Sequence, residues 1–120
     1  RGQKIANIDV PDLTVEGPQS GDVLLIWWGG TYGSIKQAAD ELRAQGKSVA
    51  QAHIRYLNPL PKNTGEVMKR FKKVICPELN LGQLSMLLRA KYLVDVIGFN
   101  RIQGKPFKVS ELVAKVLEHL

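Results

Sequence analysis

Residues 23–28 read Val-Leu-Leu-Ile-Trp-Trp, six apolar side chains in unbroken succession, and Gly29-Gly30 ends the run. An extended segment sends successive side chains to opposite faces, so a run without polar alternation needs cover on both sides. Six residues fall far short of the roughly 20 that a membrane-spanning helix requires. The run therefore calls for a sheet strand flanked by two layers of helices. The next segment supplies the first such helix, because Ile35, Ala38, Ala39 and Leu42 fall at i, i+3, i+4 and i+7 and form one apolar stripe. Gly46 stands where a helix-ending glycine is expected.

The alternation continues to the C-terminus. Residues 49–54 form the next strand, followed by the loop Asn58-Pro59-Leu60-Pro61. Asn63 with Glu66 has the spacing of a capping box for a helix running through Phe71. Val74-Ile75-Cys76 reads as a short buried strand stopped by Pro77. Asn80 with Gln83 repeats the capping arrangement ahead of an inward stripe of Leu84, Leu87, Leu88 and the stem of Lys91. Residues 94–99 make a further strand, and Ser110 caps a last helix with Val113, Val116, Leu117 and Leu120 on its inner face. Short strands alternating with helices of about ten residues imply right-handed parallel crossovers. The predicted fold is an α/β three-layer α/β/α sandwich spanning 22–120. Residues 1–21, with Pro11, Gly17, Pro18 and Gly21, read as an arm with an edge strand at 13–16.

Length and charge narrow the function classes. A chain of 120 residues suits one domain, which at this size buries about two-thirds of its unfolded surface without needing staples. The single cysteine, Cys76, forbids an intrachain disulfide and fits a reducing cytoplasm. The first residues carry no apolar signal region and no initiator Met, as expected of a piece of a longer polypeptide. The net charge of +6 is mostly spread along the chain. Its one dense cluster, Lys69, Arg70, Lys72 and Lys73, is placed at a helix end, where cations complement the carbonyl pole of the dipole. No aromatic residue interleaves with it to stack bases, apart from Phe71 on the apolar face, so nucleic acid is not an expected partner. Neither is a membrane.

Ligands of open α/β sheets sit at the C-terminal ends of strands, which directs attention to the loops there. The glycines at 29, 30 and 33 spell G-G-x-x-G rather than the dinucleotide fingerprint G-x-G-x-x-G. The acidic residue expected about 20 positions later is missing. Arg55 lies in that stretch instead, which keeps a free-standing NADP- or nucleotide-binding module as the alternative. The ordinary structural reading is that Gly29 and Gly30 allow a tight turn and Gly33 lets helix and sheet approach closely. His53, Cys76 and Glu78 would make a nucleophilic trio if neighbouring strands brought them together, whereas Cys76 alone reads as a small buried apolar residue. One Cys and two His offer no metal-ligand spacing. In the segment 77–84, Glu78, Asn80 and Gln83 gather at a helix start. Anion binding on its amides, capping and contact with a partner chain all remain open.

Four stretches, Gly-Gly-Thr-Tyr-Gly-Ser-Ile at 29–35, Arg-Tyr-Leu-Asn-Pro-Leu-Pro at 55–61, Pro-Glu-Leu-Asn-Leu-Gly-Gln-Leu at 77–84 and Gln-Gly-Lys-Pro-Phe at 103–107, occur in one order and register. Together they resemble the C-terminal domain of the α subunit of 2-oxoacid:ferredoxin oxidoreductases, with the 2-oxoglutarate branch favoured over pyruvate. More distantly, the plan resembles the transketolase C-terminal domain. The resemblance covers residues 22–119 and implies a five-stranded, mostly parallel sheet with one antiparallel edge strand. It implies a parent enzyme that decarboxylates a 2-oxoacid with thiamine diphosphate and Mg²⁺, passes electrons through an iron–sulfur cluster to ferredoxin, and uses CoA as co-substrate. In that family the thiamine and the cluster belong to other domains or subunits. Consistently, this sequence has no Gly-Asp-Gly motif and no cysteine set. The domain is thus expected to carry no catalytic, cofactor or metal residue and to serve assembly with other domains and subunits of an oligomer. Tyr32, Tyr56, Asn58, Glu78, Asn80 and Gln83, on loops rather than core stripes, are expected to form a patch facing a partner.

Overall fold

The apolar run forms the middle of strand β2 (Gly21–Trp28), whose side chains alternate between two separate cores. Val23, Leu25 and Trp27 point to one core and Leu24 and Ile26 to the other, as the absence of polar alternation requires. The computed structural model describes residues 10–28, 33–55, 60–78, 83–100 and 107–120. Their order is β1 (Val15–Glu16), β2, α1 (Gly33–Ala44), β3 (Val49–Ile54), α2 (Thr64–Lys69), β4 (Phe71–Glu78), α3 (Gln83–Tyr92), β5 (Val96–Asn100) and α4 (Val109–Leu117). The sheet runs β1-β3-β2-β4-β5. β1 pairs antiparallel with β3, and the other pairings are parallel, so the expected edge strand is present within 13–16.

One face of the sheet is covered by α1 and α4, through Ile35, Ala38, Ala39, Leu42, Leu112 and Val116. The other is covered by α2 and α3, through Val67, Met68, Leu84 and Leu88. The α1 stripe matches its expectation residue for residue. Gly46 ends α1 at φ +85°, and the amides of Gly46 and Lys47 donate to the carbonyls of Arg43 and Leu42 (2.9 and 3.0 Å), a Schellman closure that favours glycine. Gly33 opens α1, but a Cβ there would meet nothing within 4 Å; the expected close helix–sheet approach does not hold at this position.

Three helices differ from expectation. α2 ends at Lys69, and Phe71 already begins β4. Asn63 makes no side-chain cap. It binds the arm instead: the Leu13 amide donates to Asn63 Oδ1 (2.7 Å), and Asn63 Nδ2 donates to the Leu13 carbonyl (3.1 Å). This amide pair copies one rung of a β ladder and seats the arm on α2. Asn63→Ala should cost about 1–2 kcal/mol of stability, read by urea denaturation, and should raise hydrogen exchange at Leu13 above that of the β2 amides. An unchanged Leu13 amide would contradict that role.

β4 does not stop before Pro77 but runs through it to Glu78, with Pro77 opposite Phe99 of β5. Of the basic cluster, Lys69 and Arg70 close α2, while Lys72 and Lys73 stand exposed on β4, and Lys72 faces Asp22 at 3.5 Å. The inner face of α3 is Leu84, Ser85 and Leu88, with Tyr92 partly buried; Leu87 and Lys91 face outward. α4 begins before Ser110, where the Lys108 amide donates to Glu111 Oε1 (2.9 Å). Leu112 and Val116 are its buried residues, and Leu117 and Leu120 are exposed.

Candidate functional site

Parallel strands leave their C-terminal ends, and the loops after them, along one edge of the sheet, the usual ligand edge of this architecture. The strand order reverses between β2 and β4. The helix following β2 covers one face and the helix following β4 the other, so this is the switch point. The β2–β4 ladder extends only as far as Leu25 opposite Ile75. Beyond it, β2 stays with β3 as far as Trp28 opposite Ile54, and β4 stays with β5 as far as Glu78 opposite Asn100. The sheet therefore forks at the switch point.

The Cys-His-Glu reading is overturned by strand order and side-chain parity. β2 lies between β3 and β4. His53 stacks on Trp27 (ring centroids 4.9 Å, interplanar angle 13°) on the α1 side, whereas Cys76 belongs to the core under α2 and α3. Cys76 is fully buried; burial first, and then the neighbouring Glu78, push its thiol pKa far above the ordinary range. A protonated, inaccessible thiol is inert. Native protein at pH 8 should therefore resist thiol-specific reagents that label it at once in urea, and labelling at equal rates would show the site to be open.

Glu78 is turned into the structure. It is 5% exposed, and its two carboxylate oxygens accept the α3 amides of Leu84 (2.8 Å) and Ser85 (3.1 Å). An anion at a helix start satisfies otherwise orphaned N–H groups and complements the dipole. Of the three readings of this segment, Glu78 takes the capping one, which had been expected of Asn80. Gln83 is exposed at the first position of α3. Tyr32, Tyr56, Asn58, Asn80, Gly29 and Gly30 lie outside the described residues.

A cleft of about 450 Å³ opens between the arm and the ends of β2 and β3. Trp27, His53, Arg55, Lys36 and Gln51 line one side, and the arm from Pro11 to Glu16 lines the other. Charge inside it is largely consumed locally, because Gln51 Nε2 donates to Glu16 Oε1 (3.2 Å) and Lys36 lies 3.8 Å from the same oxygen. Trp27 Nε1 is buried with no hydrogen-bond partner. Sequence reasoning singled out His53 and Arg55 but missed Trp27, Lys36 and Gln51. Trp27 lies near the end of β2 and Lys36 in the first turn of α1, whereas Gln51 stands mid-strand, a lone polar residue between Ala50 and Ala52.

Among the described residues, no three His, Cys, Asp or Glu side chains gather as a metal site. No helix among them is long and apolar enough to cross a membrane. One buried cysteine cannot provide the several thiolates of an iron–sulfur cluster, so this chain's residues do not fit that cofactor.

Comparison with known proteins follows the same lines. Residues 21–112 match the family described as pyruvate:ferredoxin oxidoreductase core domain II. The chain is 50% identical over 113 residues to the 2-oxoglutarate oxidoreductase subunit KorA of Mycobacterium tuberculosis, a match that covers 93% of this chain and 17% of that protein. It superposes with TM-score 0.85 and 31% identity on the 2-oxoglutarate:ferredoxin oxidoreductase of Magnetococcus marinus, solved with 2-oxoglutarate, coenzyme A and succinyl-CoA bound, over 98% of this chain and 21% of that one. A split-gene transketolase, an inactive β4 tetramer, shares the fold with TM-score 0.66 at 21% identity, over 95% of this chain and 43% of that one. The chain thus spans about a fifth of the length of the two oxidoreductases it matches.

Proposed function

The chain belongs to the pyruvate:ferredoxin oxidoreductase core domain II family, and from that membership we propose that it is an assembly domain in the α subunit of a 2-oxoacid:ferredoxin oxidoreductase. The favoured substrate is 2-oxoglutarate. The observation that carries this reading is the 50% identity across nearly the whole chain to a 2-oxoglutarate oxidoreductase subunit. Residues 1–21 serve as an arm and 22–120 as the domain. The parent enzyme works in the cytoplasm, where thiamine diphosphate, Mg²⁺ and an iron–sulfur cluster, held by its other domains or subunits, supply decarboxylation and electron transfer to ferredoxin, with CoA as co-substrate. This chain's own residues build a rigid two-sided sheet and present its strand-end loops to neighbouring subunits. Tyr32, Tyr56, Asn58, Asn80 and Gln83 form that contact patch. Glu78 supports it from within by fixing the start of α3, rather than by touching the partner.

The test is to tag the gene in its source organism and purify what accompanies the chain. A complex that reduces ferredoxin in the presence of 2-oxoglutarate and CoA is the expected result, with pyruvate a poorer substrate. Alanine at Asn58 and Gln83 should release partner subunits on gel filtration while leaving the melting temperature of the domain unchanged. A chain that purifies alone, without 2-oxoacid-dependent ferredoxin reduction, would overturn the reading.

A further inference from the structure

The cleft between the arm and the ends of β2 and β3, about 450 Å³ in volume, has the size of a small-molecule site, roughly 300–1,000 Å³. The assembly role gives it no task. One wall is the stacked pair Trp27 and His53, with ring centroids 4.9 Å apart. Trp27 is only 6% exposed, and its indole Nε1–H has no acceptor among the described residues. Buried donors are rarely left so, because an unmade hydrogen bond forfeits the solvation that burial removed. A second set of donors opens on the same space. Gly33 lines the cleft in the first turn of α1, where helix amides lack internal acceptors and the dipole favours an anion. That turn contains no acidic residue, and a Cβ at Gly33 would meet nothing within 4 Å. Helix α3 is the contrast, since Glu78 already takes two of its early amides.

The charges around the cleft are unevenly placed. Lys36 is shared between Glu16 (3.8 Å) and Asp40 (3.6 Å), so its charge is largely neutralised. Arg55 stands exposed just past the end of β3, with no ion pair among the described residues, and its planar fork suits a carboxylate. Asp12 and Glu16 belong to the arm wall opposite, where they would repel a second negative charge on a ligand. We propose that the cleft binds a small monocarboxylate with an apolar body. The carboxylate lies between Arg55 and the start of α1 and supplies the acceptor that the Trp27 indole lacks. The body rests against the Trp27–His53 pair. This role is additional to assembly and does not depend on it.

The test is titration of the isotope-labelled 120-residue chain, followed by NMR through the indole N–H signals of its two tryptophans, Trp27 and Trp28. Trp28, 42% exposed, is the internal control, and Trp28→Phe assigns the two signals. Butyrate should move the Trp27 indole proton downfield, as a donor gaining an acceptor does, and leave Trp28 in place. Succinate has the same number of carbons with a second carboxylate, and inorganic phosphate lacks the apolar body; each should bind about tenfold more weakly. Arg55→Gln should weaken butyrate binding about tenfold. Glu16→Gln should strengthen succinate and narrow its gap from butyrate. Both substituted residues are exposed, which keeps the fold out of the comparison. A Trp27 signal unmoved by butyrate at about 50 mM, well into the range of weak binding, overturns the proposal. So does a response that Arg55→Gln leaves unchanged, which would place the ligand elsewhere. Phosphate binding as tightly as butyrate would reduce the site to general anion attraction and overturn the monocarboxylate.

Discussion

Replacing Glu78 by alanine should lower the stability of the domain by roughly 3 kcal/mol, or about 12 °C in melting temperature for a domain of this size. The carboxylate accepts two buried backbone amides, Leu84 N–H and Ser85 N–H, and hydrogen bonds to a charged group contribute about 1.5–3 kcal/mol each, less than additively when they share an acceptor group. Alanine leaves both donors unsatisfied where water does not easily reach them. Glutamine should lie between, since its amide oxygen accepts one N–H while its NH₂ opposes the other. Thermal and urea unfolding of the three proteins checks the order Glu, Gln, Ala. A loss under about 0.5 kcal/mol, typical of a surface change, would return Glu78 to the pool of partner-facing residues.

Arg43→Ala should be the next largest loss, about 2 kcal/mol. The guanidinium joins three elements: Nη1 donates to the carbonyls of Val49 (2.9 Å) and Glu16 (3.4 Å), and Nη2 to Asp40 Oδ1 (2.6 Å) and Gln51 Oε1 (3.2 Å). Gln51 is buried, and its Oε1 would lose the Arg43 donor. β1 has only two residues paired with β3, so it depends on such lateral bonds. Hydrogen exchange at Val15 and Glu16 should accelerate well before the central strands respond. Lysine should not rescue, because one ammonium cannot reach acceptors on both sides of the fork. Uniform acceleration across the sheet would mean that Arg43 acts on global stability rather than on the edge. The same arginine holds the Asp40 carboxyl below its ordinary pKa by hydrogen bonding. That contribution is present above pH 3.8 and fades as pH falls further, and it is small because Asp40 is exposed.

The fold was legible where the information is local. The unalternated run in β2, the α1 stripe and Gly46 each state their structure within a few residues, and each stands as expected. The errors share a different physics. Asn63 has the spacing of a cap but is taken by Leu13, 50 residues earlier. The rotation of α3 is set by Glu78, which seizes the amides of residues 84 and 85 and so turns Ser85 inward and Leu87 outward; a stripe apolar on both sides gives periodicity no way to choose. His53 and Cys76 look adjacent along the sequence of strands, yet their separation depends on which strand the crossover from β3 to β4 skips and on side-chain parity. Neither is written in either strand. The cleft beside Trp27 was hidden for the same reason, since the arm that closes it joins the sheet only through long-range pairing.

The fork between β2 and β4 also bears on how motion spreads. Past Leu25 and Ile75 no ladder rung ties the two halves, and Pro77, lacking an N–H, cannot extend one. Trp28 is held by β3, and Glu78 by β5 and α3, so a displacement at either strand end passes first into its own half of the sheet. The seam below is closed from Gly21 to Leu25, and Ile26 and Cys76 above it still share one core.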